Sequence, residues 1–230
     1  MIRHLACIMD GNRRWANAKG LASYEGHRGG VESVMQAIEF CIEKQIAYLS
    51  LYTFSLENFK RSEQEKLYLF QLIVEQIALQ VPRLIKEQIR IRFVGDKTVF
   101  PASIQEVCAE AEQSTKAFSK LELSILLCYG GRQEVVAAVR SIVHDYLSQP
   151  GASIDAIDEH LIESKLWTGH APAPDIIIRT SGVRRLSNFL LYQSGYSELF
   201  FLDCMWPDLS KKDLELVLDE FQKRKRNFGV

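Results

Sequence analysis

The strongest constraint on this chain is a repeated alternation of short apolar runs with longer stretches whose apolar residues recur every three or four positions. Short runs of that kind read as buried strands, and the longer stretches read as helices with one apolar face. Leu5 to Met9 predicts a strand ending at Asp10-Gly11-Asn12, and Ala47 to Phe54 predicts a second. Arg90 to Val94, Leu121 to Cys128, Asp175 to Arg179 and Leu199 to Leu202 predict the others. Helical spacing covers Val31 to Lys44, Glu63 to Gln80, Pro101 to Phe118, Gln133 to Leu147 and Asp213 to Arg226. An interruption is expected near Pro82 and a turn over Gln149 to Ser153. Such regular alternation implies an α/β fold with a mostly parallel central sheet flanked by helices. No repeat, low-complexity segment or linker divides the 230 residues, so one domain over 1–230 is expected.

In open parallel sheets, ligands bind at the carboxyl edge of the strands. The loops expected there are Asp10 to Arg14, Ser55 to Arg61, Tyr129 to Arg132 and Arg179 to Ser187. Arginine recurs in them: Arg13, Arg14, Arg61, Arg132, Arg179, Arg184 and Arg185. Its planar fork suits bidentate phosphate contacts, and Gly11 and Gly130-Gly131 let backbone N–H groups approach an oxyanion. Asp10 is a carboxylate among these cations. Mg2+ favours that setting, because it takes one or two carboxylates together with substrate phosphates and water. Any one of these arginines alone reads better as a solvated surface charge. Their concentration at predicted strand ends favours a diphosphate–metal site.

Composition narrows the alternatives. Lys+Arg is 28 and Asp+Glu is 29, a formal charge of −1, which disfavours a net basic nucleic-acid binder. No apolar run approaches the ~20 residues of a membrane span, and the first apolar run is too short for a secretory signal, so a cytoplasmic protein is expected. The five cysteines are scattered with no CxxC pair, which reads as small buried hydrophobes. P-loop, dinucleotide-fingerprint, HExxH and GxSxG motifs are all missing.

The segments HLACIMDGNRRWA, GHRGG, SLENFKRS, CYGGRQE and IIIRTSGVRRLSNFLLYQSGYSELFF, followed by WPDL, resemble the ordered motifs of the cis-prenyltransferases, of the bacterial undecaprenyl diphosphate synthase type. The resemblance runs from His4 to Gly229, and the Asp pairs of trans-type prenyl synthases are missing. It implies a transferase that extends an allylic diphosphate, typically farnesyl diphosphate, by repeated addition of isopentenyl diphosphate with new cis double bonds. Asp10 would bind Mg2+ and assist departure of the allylic diphosphate. Gly11, Asn12, Arg13 and Arg14 would cradle that diphosphate, with Trp15 and His27 beside it. Ser55, Leu56, Glu57 and Asn58 match the SxEN loop, with Phe59 and Arg61 following. Asn58 stands where the family's proton-relaying residue lies; an amide is a poor base, so a positioning role suits it better. Arg179, Arg185 and Ser187, with Leu186 between them, would hold isopentenyl diphosphate. Glu198 would be a second metal ligand.

The resemblance further implies a homodimer and transient membrane contact when a long lipid is released. The stretch Ser194 to Leu202 with WPDL reads either as interface or as interior strand. The growing chain requires an apolar tunnel, with Leu67, Leu69, Phe70, Leu72, Ile73, Ile77 and Leu79 as candidate wall residues and Ala78 as a small one whose enlargement would shorten products. Each reads equally well as ordinary core. The chain departs from the family pattern at three places. Ser23 replaces an Arg three residues before Gly26-His27, Val183 replaces a Glu, and Phe59 replaces a Trp. Arg13 and Arg184 are nearby cations able to substitute for the missing guanidinium. A catalytically weak prenyltransferase-like partner subunit is the alternative reading.

Overall fold

A computed structural model describes residues 2–148 and 153–225. The strands are β1 (His4–Ile8), β2 (Tyr48–Ser55), β3 (Ile89–Val94), β4 (Leu121–Tyr129), β5 (Ile176–Arg179) and β6 (Glu198–Phe201). They form one sheet in the order β3-β4-β2-β1-β5-β6, and every pairing is parallel. The helices are α1 (Asn12–Ala18), α2 (Glu25–Gly29), α3 (Val31–Glu43), α4 (Glu63–Lys86), α5 (Ala102–Thr115), α6 (Gly131–Ser148), α7 (Glu159–Lys165) and α8 (Lys211–Lys223).

Both sheet faces are covered, as a parallel sheet requires. Leu5 and Cys7, Leu49 and Leu51, Leu121 and Leu123, and Ile176 and Ile178 face the larger core, with Met35, Ile38, Leu69 and Leu84 of α3 and α4. Alternate residues, Ala6, Ile8, Leu126 and Ile177, pack on the other side with Tyr129, Phe189 and Leu190. Polar residues also cross this second face. The buried His4 donates from Nδ1 to the Pro172 carbonyl (2.7 Å) and accepts at Nε2 from Ser50 Oγ (2.9 Å), while Ser124 Oγ meets His170 Nε2 (3.1 Å).

Every predicted strand is present within a residue or two. The main differences are helical. α4 runs past Pro82 to Lys86, because the proline ring sits on the exposed side, where the lost backbone bond is open to water. The short helices α1, α2 and α7 have too few turns to show a periodic pattern, and the predicted end at Arg226 and most of the turn over 149–153 lie outside the described residues. The chain leaves β1 toward β2 on one side and leaves β5 toward β6 on the other. The crevice between the carboxyl ends of β1 and β5 is therefore the topological switch point, and it holds Asp10 and Arg179.

Candidate active site

The site starts from the turn after β1. Gly11 has φ 104°, and a Cβ there would lie 2.6 Å from Met205 Sδ, so only glycine fits. This turn sets Asp10 against β5. Thr180 Oγ1 donates to the Asp10 carbonyl (2.6 Å) and accepts the Asp10 N–H (3.1 Å), and the Trp206 N–H donates to the same carbonyl (3.0 Å). Arg179 Nη2 donates to Asp10 Oδ2 at 2.7 Å, and Arg14 Nη2 lies 3.5 Å from Oδ1. Burial pushes the Asp10 pKa up, but hydrogen bonding and charge from Arg179, with the Gly11 N–H, bring it below the usual carboxylate value. Asp10 is thus a preformed anion.

Arg179 is itself held in place. Its Nη1 donates to the Arg185 carbonyl (2.5 Å) and to Ser187 Oγ (2.7 Å). The loop that folds back to supply these acceptors carries non-glycine residues at positive φ: Ser181 (81°), Ser187 (51°), Asn188 (65°) and Leu190 (42°). Such conformations cost energy and persist where surroundings over-determine them. Asn188 supplies part of that hold, donating from Nδ2 to Glu57 (2.9 Å) and Gln133 (3.0 Å) and accepting the Arg132 N–H (2.9 Å). The fully buried Glu134 supplies more, accepting from the Tyr129 hydroxyl, the Thr168 N–H and hydroxyl, and Gln193.

A second charged cluster, gathered around Glu65 of α4, faces this turn. Glu65 accepts from Arg61 (2.9 Å) and lies 3.8 Å from His27 Nε2 and 3.9 Å from Arg13 Nε. Burial, then the charges of Arg61 and Arg13, push the His27 pKa down to about 4, so its imidazole is neutral near pH 7. The SLEN turn is shaped by a reciprocal cap in which the Ser55 N–H donates to Asn58 Oδ1 (3.0 Å), leaving the Asn58 amide nitrogen as a donor at the cavity wall.

These groups ring the mouth of one cavity of about 870 Å3. Asp10, Asn12, His27, Ser55, Glu57, Asn58, Arg61, Arg132, Arg179 and Ser187 line it, and its far end is walled by Leu84, Ile91, Leu123 and Ile125. It lies between α3, α4 and the larger sheet core. Other expected site residues stand apart from this wall. Phe59 packs with Phe54, Phe70 and Phe100 in an aromatic cluster, and Leu56 joins the same core. Trp15 ties α1 to the turn after β6 by donating to Asp208 (2.7 Å). Leu186 packs in the second core, and Arg13, Arg14 and Arg185 are exposed. Ser23 Oγ donates to Asn17 (2.7 Å), and the charge of Arg13 acts on His27.

Glu198 is at the start of β6, in register with Ile176, whereas Arg179 pairs with Phe201. It is therefore at the opposite end of the sheet from Asp10, where it pairs with Arg224 (2.7 Å). Within one chain the two carboxylates are not brought together. Trp206 of the WPDL segment is buried and donates to the Gly30 carbonyl (2.9 Å), so it is interior. Of the expected tunnel wall, Leu69, Leu72, Ile73 and Ile77 line the cavity, but Leu67, Leu79 and Ala78 face solvent and Phe70 belongs to the aromatic cluster. A 3.6-residue period on a helix this apolar leaves its buried side ambiguous. The contacts of Thr180, Glu65 and Asn188 had no motif to announce them.

A mouth of arginines around the ionised Asp10, opening on a deep apolar cavity, equips an enzyme to handle a lipid by its anionic end. Comparison with known proteins identifies which kind. Residues 8–229 match the family described as "Putative undecaprenyl diphosphate synthase". The chain is 43% identical over 229 residues to a geranylgeranyl-diphosphate-specific tritrans,polycis-undecaprenyl-diphosphate synthase of Thermococcus kodakarensis, covering 99% of this chain and 86% of that protein. It is 40% identical over 231 residues to a (2E,6E)-farnesyl-diphosphate-specific ditrans,polycis-undecaprenyl-diphosphate synthase of Xanthomonas axonopodis pv. citri, covering 99% and 88%. The crystal structure of lavandulyl diphosphate synthase from Lavandula x intermedia, in complex with dimethylallyl diphosphate, superposes with a TM-score of 0.95 at 32% identity, covering 100% of this chain and 98% of that one. A probable undecaprenyl diphosphate synthase from Campylobacter jejuni gives 0.84 at 29%, covering 100% and 99%. The chain belongs to the undecaprenyl diphosphate synthase family and is a cis-prenyltransferase.

Proposed function

We propose that this chain condenses isopentenyl diphosphate onto farnesyl diphosphate, in repeated cis additions, to give a long polyprenyl diphosphate such as undecaprenyl diphosphate. The observation that carries this reading is the continuity of the Asp10–Arg179 mouth with the apolar cavity. Arg14, Arg61 and the α1 N–H groups after Gly11 face the allylic diphosphate, while Arg179, Ser187 and Arg185 receive the isopentenyl one. Stabilising the diphosphate that leaves is the main electrostatic demand, and fixed guanidinium and N–H donors meet it without reorganisation. Asn58, anchored through its oxygen, positions the extending unit, and the proton lost in each addition passes to a diphosphate oxygen or water.

The donor set suits Mg2+. Asp10 is an ionised carboxylate, and the buried Asn12 Oδ1 lacks a hydrogen-bond partner among the described residues. No group of three or more His, Cys, Asp or Glu side chains gathers there among the described residues, which fits a cation completed by substrate phosphates and water. Mg2+ held by Asp10 would neutralise charge on the departing diphosphate. Glu198 is reserved for a role with Arg224 or at a partner chain. The deciding experiment incubates the chain with isopentenyl diphosphate, Mg2+ and dimethylallyl, farnesyl or geranylgeranyl diphosphate, and separates the products by length. Extension of farnesyl diphosphate is expected. A chain that extends none of the primers overturns the reading and is instead the weak partner subunit.

We propose that a homodimer forms through α6, where Val136, Val139, Val143 and Leu147 form an exposed apolar row, 49%, 48%, 51% and 82% accessible. Positions three and four apart share a helix face, so the row is continuous. Val139→Glu is expected to convert a dimer to a monomer in size-exclusion chromatography with light scattering; an unchanged mass would remove α6 from the interface. No described helix is long and apolar enough to cross a membrane. We propose a cytoplasmic enzyme that meets the membrane transiently when its lipid product is released.

A further inference from the structure

Two glycines in the turn between β4 and α6 suggest backbone N–H groups open to an anion. The fold spends those groups internally. The Gly131 N–H donates to the Asn188 carbonyl (2.7 Å), and the Arg132 N–H donates to Asn188 Oδ1 (2.9 Å). Both belong to the first turn of α6, where a helix has no partners of its own to offer. Asn188 therefore caps α6 from 56 residues further along the chain. A Cβ on Gly130 would lie 2.7 Å from Asn188 Nδ2 and 2.3 Å from Gln133 Oε1, so this glycine makes room for the asparagine. The rest of the amide reaches a third segment: Nδ2 donates to Gln133 Oε1 (3.0 Å) on α6 and to Glu57 Oε1 (2.9 Å) in the SLEN turn.

One side chain thus joins α6, the SLEN turn and the loop after β5, from a backbone at φ 65° that asparagine adopts more readily than most residues. With both amide hydrogens engaged, Asn188 has none left to offer a phosphate oxygen. Its effect passes instead through its neighbour Ser187, whose Oγ accepts from Arg179 Nη1 (2.7 Å). We propose that Asn188 is a positioning residue for isopentenyl diphosphate: by tying its loop to α6 and to the SLEN turn, it holds Ser187 and Arg179 in the arrangement that receives that substrate. The fixtures of the allylic diphosphate are held elsewhere, Arg61 by Glu65 and the turn at Gly11 by Thr180 and Trp206. This role rests on the prenyl-transfer reading above.

The test titrates an unreactive farnesyl diphosphate analogue, its scissile oxygen replaced by a methylene, into the wild-type chain and into Asn188→Gly, and then titrates isopentenyl diphosphate into each complex. Glycine takes φ 65° without strain and keeps the carbonyl that accepts the Gly131 N–H, so the substitution removes the side-chain bonds alone. Affinity for isopentenyl diphosphate is expected to fall about tenfold or more, and affinity for the farnesyl analogue to stay within about threefold. In steady state, the KM for isopentenyl diphosphate is expected to rise by the same factor. Asn188→Asp removes both donors and sets a second carboxylate beside Glu57, so a larger loss is expected. Adding Glu57→Gln to it rebuilds the bond with reversed polarity, and isopentenyl diphosphate affinity is expected to recover at least about threefold. Unchanged isopentenyl diphosphate affinity in Asn188→Gly, or equal losses for both ligands, overturns the inference, as does a double variant that binds no better than Asn188→Asp. A wild-type chain that binds neither ligand overturns the prenyl-transfer reading as well; one that binds both and extends farnesyl diphosphate, without the selective loss in the variants, overturns this inference alone.

Discussion

Asp10→Ala is expected to lower kcat by about 10³-fold or more, the scale seen when a fixed charge-stabilising group is removed from the reacting centre. Asp10 is the carboxylate at the cavity mouth that Arg179 holds ionised, and it sits at the switch point, where the proposed function would bring the two diphosphates together. The substitution also leaves Arg179, which is 5% exposed, without its anionic partner. Some loss of stability is therefore expected, and the measurement must separate the two effects. Asp10→Asn keeps a hydrogen-bond acceptor for Arg179 and should retain more of the thermal stability while losing comparable activity. Thermal unfolding followed by circular dichroism, together with steady-state rates across a Mg2+ titration, checks both. A variant that keeps more than a tenth of wild-type turnover would show that Asp10 is not at the reacting centre.

Acid is expected to unfold this protein well before its carboxylates titrate. His4, His27 and His170 each have a pKa pushed down to about 4, in every case first by burial, with the charges of neighbouring arginines adding to it for His27 and His170. In the unfolded chain each returns to about 6.5, so between pH 6.5 and 4 the unfolded state binds protons that the folded state refuses. Stability therefore falls as pH drops through that window, by up to roughly 3 kcal/mol for each histidine at its lower end. His4 is the strongest case, because it is buried and a proton on Nε2 would place a charge in the core and force the Ser50 hydroxyl from donor to acceptor. Denaturant unfolding at stepped pH should show the slope, and His4→Asn should flatten it. A stability that is constant from pH 6.5 to 4.5 would show that these rings protonate freely in the folded state.

The sheet was legible because strands buried on both faces need continuous apolar runs, as in Ile176 to Ile178 or Leu49 to Leu51, and such runs have few other uses. The polar loops at strand ends, Asp10 to Arg14 and Arg179 to Ser187, were legible for the complementary reason, that charge cannot continue into the sheet. What could not be read is which side chains meet. Phe59 sits in a motif yet packs into an aromatic cluster, because the 3-10 helix Leu56–Lys60 that carries it turns its ring toward Phe54, Phe70 and Phe100. Ala78 and Leu79 are apolar on an apolar helix yet exposed, since the periodicity of α4 supports more than one buried face. Glu198 follows the motif spacing, but the return loop from β5 delivers it to the amino end of β6, and spacing along a chain carries no information about which end of a sheet it reaches.

The place of β1 in the sheet also bears on how the enzyme comes into being during synthesis. β1 is made first, yet it ends flanked by β2 on one side and β5 on the other, and the ion pair that crosses that second border joins residues 169 positions apart. Contacts of such separation form late, because the intervening chain must be closed before they can repay its entropy. Until β5 leaves the ribosome, one edge of β1 is bare and Arg179 is not yet there to hold Asp10. A nascent chain carrying β1 to β4 can thus acquire much of its sheet while the diphosphate-binding crevice does not exist, and a product stalled before β5 would be an inactive, edge-exposed species suited to capture by chaperones.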